Sequence, residues 1–313
     1  MTYQTTLIYN PTAGPWDMTR PLKRLASYLA RSGWQIEIVQ TEQPGDALTH
    51  AREAARRGAD CVLLAGGDGT INEAVNGLCD TATTLGMVPV GTGNVLAHQL
   101  HMPALTAVTI KEVGDSLLKS RTQRVDVGVA NERRFISWGG LGLDAEIAAQ
   151  MEPRPRALKR FRTLPYIITG FTVASEYRGV RTRFVIEDRT LRTRTLLAVA
   201  SNIQLYANFF QIAPHARMDD GLLDIFVFRG MGFAYALRAL VQSIRGRHLN
   251  DPHVMHVLAA KMDVETATPV AVHLDGDPFG STPASFSLQP LSLRLLVPPN
   301  APESLFSRPP EDL

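Results

Sequence analysis

Short apolar runs alternate with amphipathic segments along the first third of the chain. Four runs have the length or the alternation of strands, at residues 6–9, 35–39, 61–65 and 85–90. Between them lie segments whose apolar residues recur at helical spacing, at residues 22–29, 47–57 and 71–78. This repeated strand–helix order predicts a mostly parallel sheet with helices on both faces.

The pattern changes near Arg121, after which strand signals dominate. Hairpins are predicted from residues 125–130 with 133–138 and from 183–187 with 195–200, further strands at 222–228, 254–258, 270–274 and 291–297, and helices at 158–174 and 233–244. Such a run of strands predicts a mainly antiparallel second domain, built as a sheet or sandwich. We therefore expect an α/β domain at residues 1–120, a mainly β domain at 121–289, and a C-terminal segment at 290–313. The strand of that last segment returns to the first domain before a frayed tail.

Composition narrows the class of protein. Of the 313 residues, 45% are hydrophobic and 20% are charged, which excludes an intrinsically disordered chain. The sequence contains no apolar stretch as long as a membrane-spanning helix, and its start lacks the regions of a signal peptide. Cys61 and Cys79 form no disulfide framework, as is typical of a reducing compartment. We expect a cytoplasmic protein.

The near-neutral charge of the chain hides an asymmetry. The formal net charge is +2, but residues 151–194 hold 11 basic and 4 acidic residues, so this segment carries +7 and the remainder −5. Within it, the basic residues of 154–162 surround Leu158 and Phe161, a pattern that fits either an anionic membrane surface or a solvated helix packed on the core. Nucleic acid is a poorer fit, because exposed aromatic residues and a known binding motif are lacking.

The strongest local signal is the loop that follows the third predicted strand, Gly66-Gly67-Asp68-Gly69-Thr70, which opens a helix continuing through Asn72 and Glu73. Glycines let the backbone approach a ligand closely, and the amides at the start of a helix bind anions. The loop lacks the lysine of a P-loop and the spacing of a dinucleotide fingerprint.

Two more polar, glycine-bearing loops follow predicted strands, at residues 10–14 and 91–94. Because the carboxyl ends of parallel strands meet at one edge of a sheet, we expect the three loops to gather there. Together they predict a site for nucleotide phosphates.

These loops, in this order, resemble the catalytic domain of the diacylglycerol kinase family, which includes sphingosine and ceramide kinases and the soluble bacterial lipid kinases. The resemblance extends through residues 218–224 and 274–278 and so covers most of the chain. It implies a three-layer α/β domain like that of phosphofructokinases and NAD kinases, followed by a β-sandwich. It also implies ATP and Mg²⁺ as cofactors. The implied nucleotide site consists of Asn10, Thr12, Thr41, Gly66, Gly67, Asp68, Gly69, Thr70, Asn72, Glu73 and Thr92, with Asp68 near the Mg²⁺ of the nucleotide.

A second chemical element is the acidic turn Asp275-Gly276-Asp277. Phosphoryl transfer needs a carboxylate to accept the proton of the attacking hydroxyl, and a glycine between two acids lets a loop project both. In similar lipid kinases the motif is Asp-Gly-Glu with Glu as the base, so here Asp277 takes that place with a side chain one carbon shorter. Asp275 supports it. The family also often has Asp where this chain has Val95.

The resemblance further implies a structural Mg²⁺ site in the second domain. Asp220 would supply the carboxylate, and Arg217 and Leu222 the backbone carbonyls. The alternative for this stretch is an ordinary turn that begins a strand.

We therefore predict a two-domain, ATP-dependent kinase that phosphorylates a lipid hydroxyl in the cleft between its domains, at the inner membrane surface. Three alternatives stay open. The first is a kinase of the same fold for a soluble substrate such as NAD, and the second is a non-catalytic nucleotide- or lipid-binding module. The third is a protein that uses its basic segment only to bind membranes.

Overall fold

The computed structural model describes residues 3–14, 16–91, 93–151, 172–208 and 210–311. The chain divides into two compact units, the first made of Met1–Val127 with Pro290–Leu313 and the second of Gly128–Gln289. It passes from one unit to the other within strands β5 (Arg121–Ala130) and β17 (Ala284–Val297). Thr92, the basic segment 154–162 and most of the predicted helix at 158–174 lie outside the described residues.

The sheet of the first unit is parallel. Its strands follow the order β2 (Trp34–Gln40), β1 (Tyr3–Tyr9), β3 (Cys61–Ala65) and β4 (Thr84–Met87), and the end of β17 adds a further parallel strand beside β4. Every residue of β3 is buried, as expected of an apolar strand in the middle of a parallel sheet.

The helices of the first unit are α1 (Thr19–Ala30), α2 (Asp46–Arg56), α3 (Asp68–Leu78), α4 (Val95–Gln99) and α5 (Ile110–Leu118). Helix α2 packs on α3, where a side chain on Gly77 would come within 2.6 Å of the Leu48 carbonyl oxygen. Helix α1 packs on α5, where the hydroxyl of Tyr28 donates to Asp115 at 2.5 Å. The predicted α/β class is confirmed.

The second unit is an antiparallel β structure, as predicted. It contains β6 (Arg133–Phe135), β7 (Trp138–Gly142), β8 (Val180–Ile186), β9 (Arg189–Ser201), β10 (Leu205–Tyr206), β11 (Phe210–Gln211), β12 (Leu223–Arg229), β13 (Val254–Ala259), β14 (Lys261–Thr266), β15 (Ala271–Leu274) and β16 (Asp277–Ser281), with helices α6 (Leu143–Met151) and α7 (Phe233–Ile244). The main path runs β16-β15-β7-β9-β8-β14-β17, and β12 pairs with both β9 and β13. Its core holds Phe135, Phe184 and Phe286, all fully buried.

Two predicted strands end earlier than the apolar pattern indicates. The run at residues 133–138 is broken after Phe135, because the amides of Ile136 and Ser137 turn toward the carboxylate of Asp275 instead of a strand partner. Strand β4 ends at Met87, two residues before Pro89, which has no amide to donate to a ladder. The predicted helix at 233–244 has the bounds of α7. None of the described helices is both long and apolar enough to cross a bilayer.

Candidate active site

The three glycine-bearing loops of the first unit are joined by hydrogen bonds. Asn10, after β1, donates from its side-chain amide to the Thr70 hydroxyl at 2.9 Å and accepts the backbone amide and hydroxyl of Thr12 at 2.9 and 2.8 Å. A side chain on Gly91 would meet the Cα of Gly67 at 3.0 Å, so the second and third loops are in close contact. The predicted gathering of the loops at one edge of the sheet is present.

Asp68 links the second loop to the third. Its two carboxylate oxygens accept the backbone amides of Asn94 at 2.8 Å and Val95 at 2.7 Å. A side chain on Gly93 would approach the same carboxylate at 2.5 Å, which explains the glycine there. The carboxylate therefore fixes the start of α4, and a role near the nucleotide's Mg²⁺ stays a prediction. Val95 is buried and contributes its amide to this link.

Three other predicted nucleotide residues make contacts inside the first unit. The buried Thr41 donates its amide to the Tyr9 carbonyl at 2.9 Å. Glu73 accepts the amide of Ala47 at 3.2 Å, which places its carboxylate at the first turn of α2. Asn72 is buried and accepts the side-chain amide of Asn76. These contacts stabilise the segments that carry the loops, and Thr92 lies outside the described residues.

The second loop has one open side. No atom lies within 4 Å of the position that a Cβ on Gly67 would take, whereas one on Gly66 would meet Thr70 at 2.8 Å. Helix α3 begins at Asp68, next to Gly69, so the amides of its first turn are not used by the helix itself. An open glycine beside a helix start is a suitable place for a phosphate group.

The two acids of the turn Asp275-Gly276-Asp277 differ in their surroundings. Asp275 is buried, and its carboxylate accepts the backbone amides of Ile136 at 3.0 Å, Ser137 at 2.7 Å and Trp138 at 3.0 Å. Its own amide donates to the Trp138 carbonyl at 2.9 Å. Asp275 therefore anchors the turn to the segment between β6 and β7.

Asp277 lies on the other side of Gly276, at the first residue of β16, and is partly exposed. Gly276 has φ +91°, a left-handed conformation that favours glycine, and no atom lies near its missing side chain. The turn thus separates a buried residue, Asp275, from a partly exposed one, Asp277. The division between a supporting Asp275 and a reacting Asp277 stays a prediction.

A second polar cluster, which the sequence patterns did not indicate, lies beside the acidic turn. The Asp144 carboxylate is 3.0 Å from Nε2 of His273 and accepts the hydroxyl of Tyr206 at 2.6 Å. Burial and the nearby carboxylate raise the pKa of Tyr206, so the hydroxyl stays protonated. The local sequence signal for this cluster is Gly140, a glycine inside a strand. A side chain at that position would come within 2.2 Å of His273.

The predicted metal residues lie just before strand β12. Desolvation raises the pKa of Asp220, and the carboxylates of Asp224 and Asp219 add to the effect. Asp220 accepts the amide of Leu222 at 3.0 Å, and Arg217 is exposed. A bound cation would relieve the repulsion among these carboxylates, so the local charge favours cation binding. In the described part of the chain, however, no three His, Cys, Asp or Glu side chains gather as a metal-binding group.

Comparison with known proteins covers both units. Residues 4–130 match the family profile described as "Diacylglycerol kinase catalytic domain", and residues 140–297 match "YegS C-terminal NAD kinase beta sandwich-like domain". A Bacillus subtilis (strain 168) protein named diacylglycerol kinase is 28% identical over 301 residues, which cover 96% of this chain and 98% of that protein. A Staphylococcus haemolyticus protein of the same name is 29% identical over 282 residues, or 90% of this chain and 84% of that protein.

Among solved structures, one described as "a putative diacylglycerol kinase from Bacillus anthracis str. Sterne" superposes with a TM-score of 0.77 at 26% identity. The superposition covers 96% of this chain and 99% of that one. The matches to these relatives therefore extend over both units and most of the length of each protein. The chain belongs to the diacylglycerol kinase family, in the form whose catalytic domain is followed by a NAD kinase beta sandwich-like domain.

Proposed function

We propose that the protein is an ATP-dependent lipid kinase that transfers the γ-phosphate of ATP to a hydroxyl group of a lipid. The observation that carries the proposal is the asymmetry of the acidic turn, in which Asp275 is buried and accepts three amides whereas Asp277 is partly exposed. A proton acceptor must be reachable by its substrate, and the anchored partner holds it in place.

The first unit supplies the nucleotide site of this proposal. The open side of Gly67 and the first amides of α3 would receive the phosphates, with the loop held by the Asn10–Thr70 bond and by Asp68. Mg²⁺ bound with the nucleotide would supply charge neutralisation on the phosphates. Asp220, with the carbonyls of Arg217 and Leu222, is our candidate for a separate structural Mg²⁺.

The second unit supplies the base. The lipid hydroxyl oxygen attacks the γ-phosphorus, the bond from that phosphorus to the bridging oxygen breaks, and ADP leaves. Asp277 takes the proton of the hydroxyl. A positioned base of this kind contributes about a hundredfold to ten-thousandfold in rate.

The decisive experiment follows labelled phosphate. Purified protein is incubated with γ-labelled ATP, Mg²⁺ and extracted membrane lipids, and in parallel with NAD. Labelled lipid is the expected product. Labelled NAD without labelled lipid would replace the proposal by a soluble substrate, and no transfer to either would leave only a binding module.

Variants then test the residues. Asp277→Asn should lower the rate of lipid labelling at least about a hundredfold, whereas Asp188→Asn, at an exposed acid of the same unit, should leave it unchanged. Asp277→Glu restores the family's longer side chain and should retain activity. The methyl group of Gly67→Ala would meet no atom of the protein, so thermal stability should not fall. It would occupy the open side where we place the phosphates, so ATP binding should weaken. Equal rates for the wild type and Asp277→Asn would remove Asp277 as the base.

A further inference from the structure

Helix α7 of the second unit exposes large apolar side chains and buries small ones. The residues it buries are small: Ala236, Ala239 and Ser243. The large apolar residues Leu237, Leu240 and Ile244 are 50%, 47% and 58% exposed. A surface helix normally turns its apolar stripe to the core, so this arrangement is the reverse of the usual one.

The exposed residues form one continuous stripe. Positions 237, 240 and 244 lie three and four residues apart, which puts them on a single helical face. Met231, before the helix, is 56% exposed, and Leu249, after it, is 37% exposed. Contiguous apolar surface of this kind marks a binding surface, whereas scattered apolar residues need no explanation.

The exposed charges on the helix and directly after it are basic. Residues 229–250 contain four arginines and no Asp or Glu. Arg238 and Arg245 each follow a residue of the stripe, so they lie about 100° around the helix from Leu237 and Ile244 and border it along one edge. Arg238 contacts Asp251 at 3.1 Å, and Arg245 and Arg247 are exposed.

We propose that α7 docks on an anionic lipid bilayer, with its leucine and isoleucine side chains in the interface and its arginines against the lipid head groups. Interfacial helices combine these two features, an apolar face and a basic border. A second copy of the chain fits less well, because a two-fold contact would bring this arginine-bordered surface against itself without acidic partners. The proposed surface uses residues other than those of the basic segment 154–162, and its docking requires neither ATP nor phosphate transfer.

Vesicle binding tests the proposal. Wild-type protein is sedimented with vesicles of phosphatidylcholine alone and of phosphatidylcholine with phosphatidylglycerol. Leu237→Gln/Ile244→Gln should reduce the partition coefficient on anionic vesicles at least about tenfold. The matched control is Ile38→Gln/Leu258→Gln, which also removes one exposed isoleucine and one exposed leucine but lies in strands β2 and β13, outside α7. Gln and Leu have similar helix propensities, so α7 should persist.

A charge variant provides the second measurement. Arg245→Glu/Arg247→Glu should also lower binding about tenfold, on anionic vesicles only. Unchanged binding by the Gln variant, an equal loss in the control, or absence of wild-type binding would overturn the proposal. So would a wild-type dimer that the Gln variant converts to a monomer, or binding abolished only by Arg156→Glu/Lys159→Glu/Arg160→Glu. Because the readout is sedimentation without ATP, failure here leaves the proposed kinase activity untouched.

Discussion

Replacement of Asp275 by Asn should lower the stability of the second unit, because the Asp275 carboxylate accepts three backbone amides there. In the structure, Oδ1 of Asp275 accepts two amides, those of Ser137 and Trp138, and Oδ2 accepts that of Ile136. The best arrangement of the substituted carboxamide keeps its oxygen on the first two amides and turns its NH₂ group toward the third. One buried amide then loses its acceptor and faces a donor.

The expected cost follows from those three bonds. A hydrogen bond to a charged group contributes about 1.5–3 kcal/mol, and an unsatisfied buried donor costs about 1–3 kcal/mol. We therefore expect Asp275→Asn to lower the free energy of unfolding by about 3 kcal/mol, and Asp275→Ala, which strands all three amides, by about twice as much. Asp277→Asn, at a partly exposed position, should cost less than about 1 kcal/mol.

Urea unfolding followed by tryptophan fluorescence measures these differences. Trp138 donates one of the amides in question, and with Trp16 and Trp34 replaced by Phe its emission reports the second unit alone. All variants are made in this background. If Asp275→Asn unfolds within about 1 kcal/mol of its parent, the three bonds do not hold the turn. If Asp277→Asn is the less stable of the two, the roles of the acids are exchanged.

Three further substitutions test individual contacts and one titrating group. Gly93→Ala pushes on the Asp68 carboxylate at 2.5 Å and should weaken ATP binding about tenfold or more in calorimetry, together with a lower melting temperature. Tyr206→Phe removes the bond to Asp144 and should lower the free energy of unfolding by about 1–2 kcal/mol in urea titrations. Burial lowers the pKa of His248 below 6.5 in the folded protein. As the pH falls below 6.5, the unfolded chain therefore takes up a proton that the folded chain does not. The free energy of unfolding then falls by up to about 1.4 kcal/mol per pH unit until the folded pKa is reached. His248→Gln should flatten this slope in pH-dependent urea titrations, and an unchanged slope would assign it to other groups.

Local patterns in the sequence predicted the elements whose signals are themselves local. The bounds of α7 and the parallel direction of the strands in the first unit follow from periodicity and turn residues. The predicted hairpin of 183–187 with 195–200 is wrong in its second strand, because β9 begins at Arg189 and its residues 189–195 pair with β8. Helix α5 could also have been found, because Thr109 and Glu112 form a capping box before it. Helix α6 follows the glycine-rich strand β7 directly and has a weak amphipathic pattern, so no start signal marks it.

The partners of individual side chains could not be predicted in this way. The loop motif indicates that Asp68 and Glu73 belong near a nucleotide, but one carboxylate links to Asn94 and Val95 and the other to the start of α2. These contacts join residues 26 or 27 positions apart, and Asp144 meets His273 across 129 positions. Such contacts depend on how strands are ordered in the sheet, which no local pattern encodes.

The same device occurs in both units. Asp68 in the first and Asp275 in the second are aspartates beside glycines, and each accepts backbone amides of a neighbouring segment. Loops held in this way are already ordered before substrate arrives, which reduces the entropic cost of the reactive arrangement. It follows that substitution of either aspartate removes activity by disordering its loop, so activity alone cannot identify the residue that handles the proton. The discriminating observation is a variant that loses phosphate transfer while keeping its unfolding free energy, and of the acids in the turn only Asp277 has surroundings that allow this.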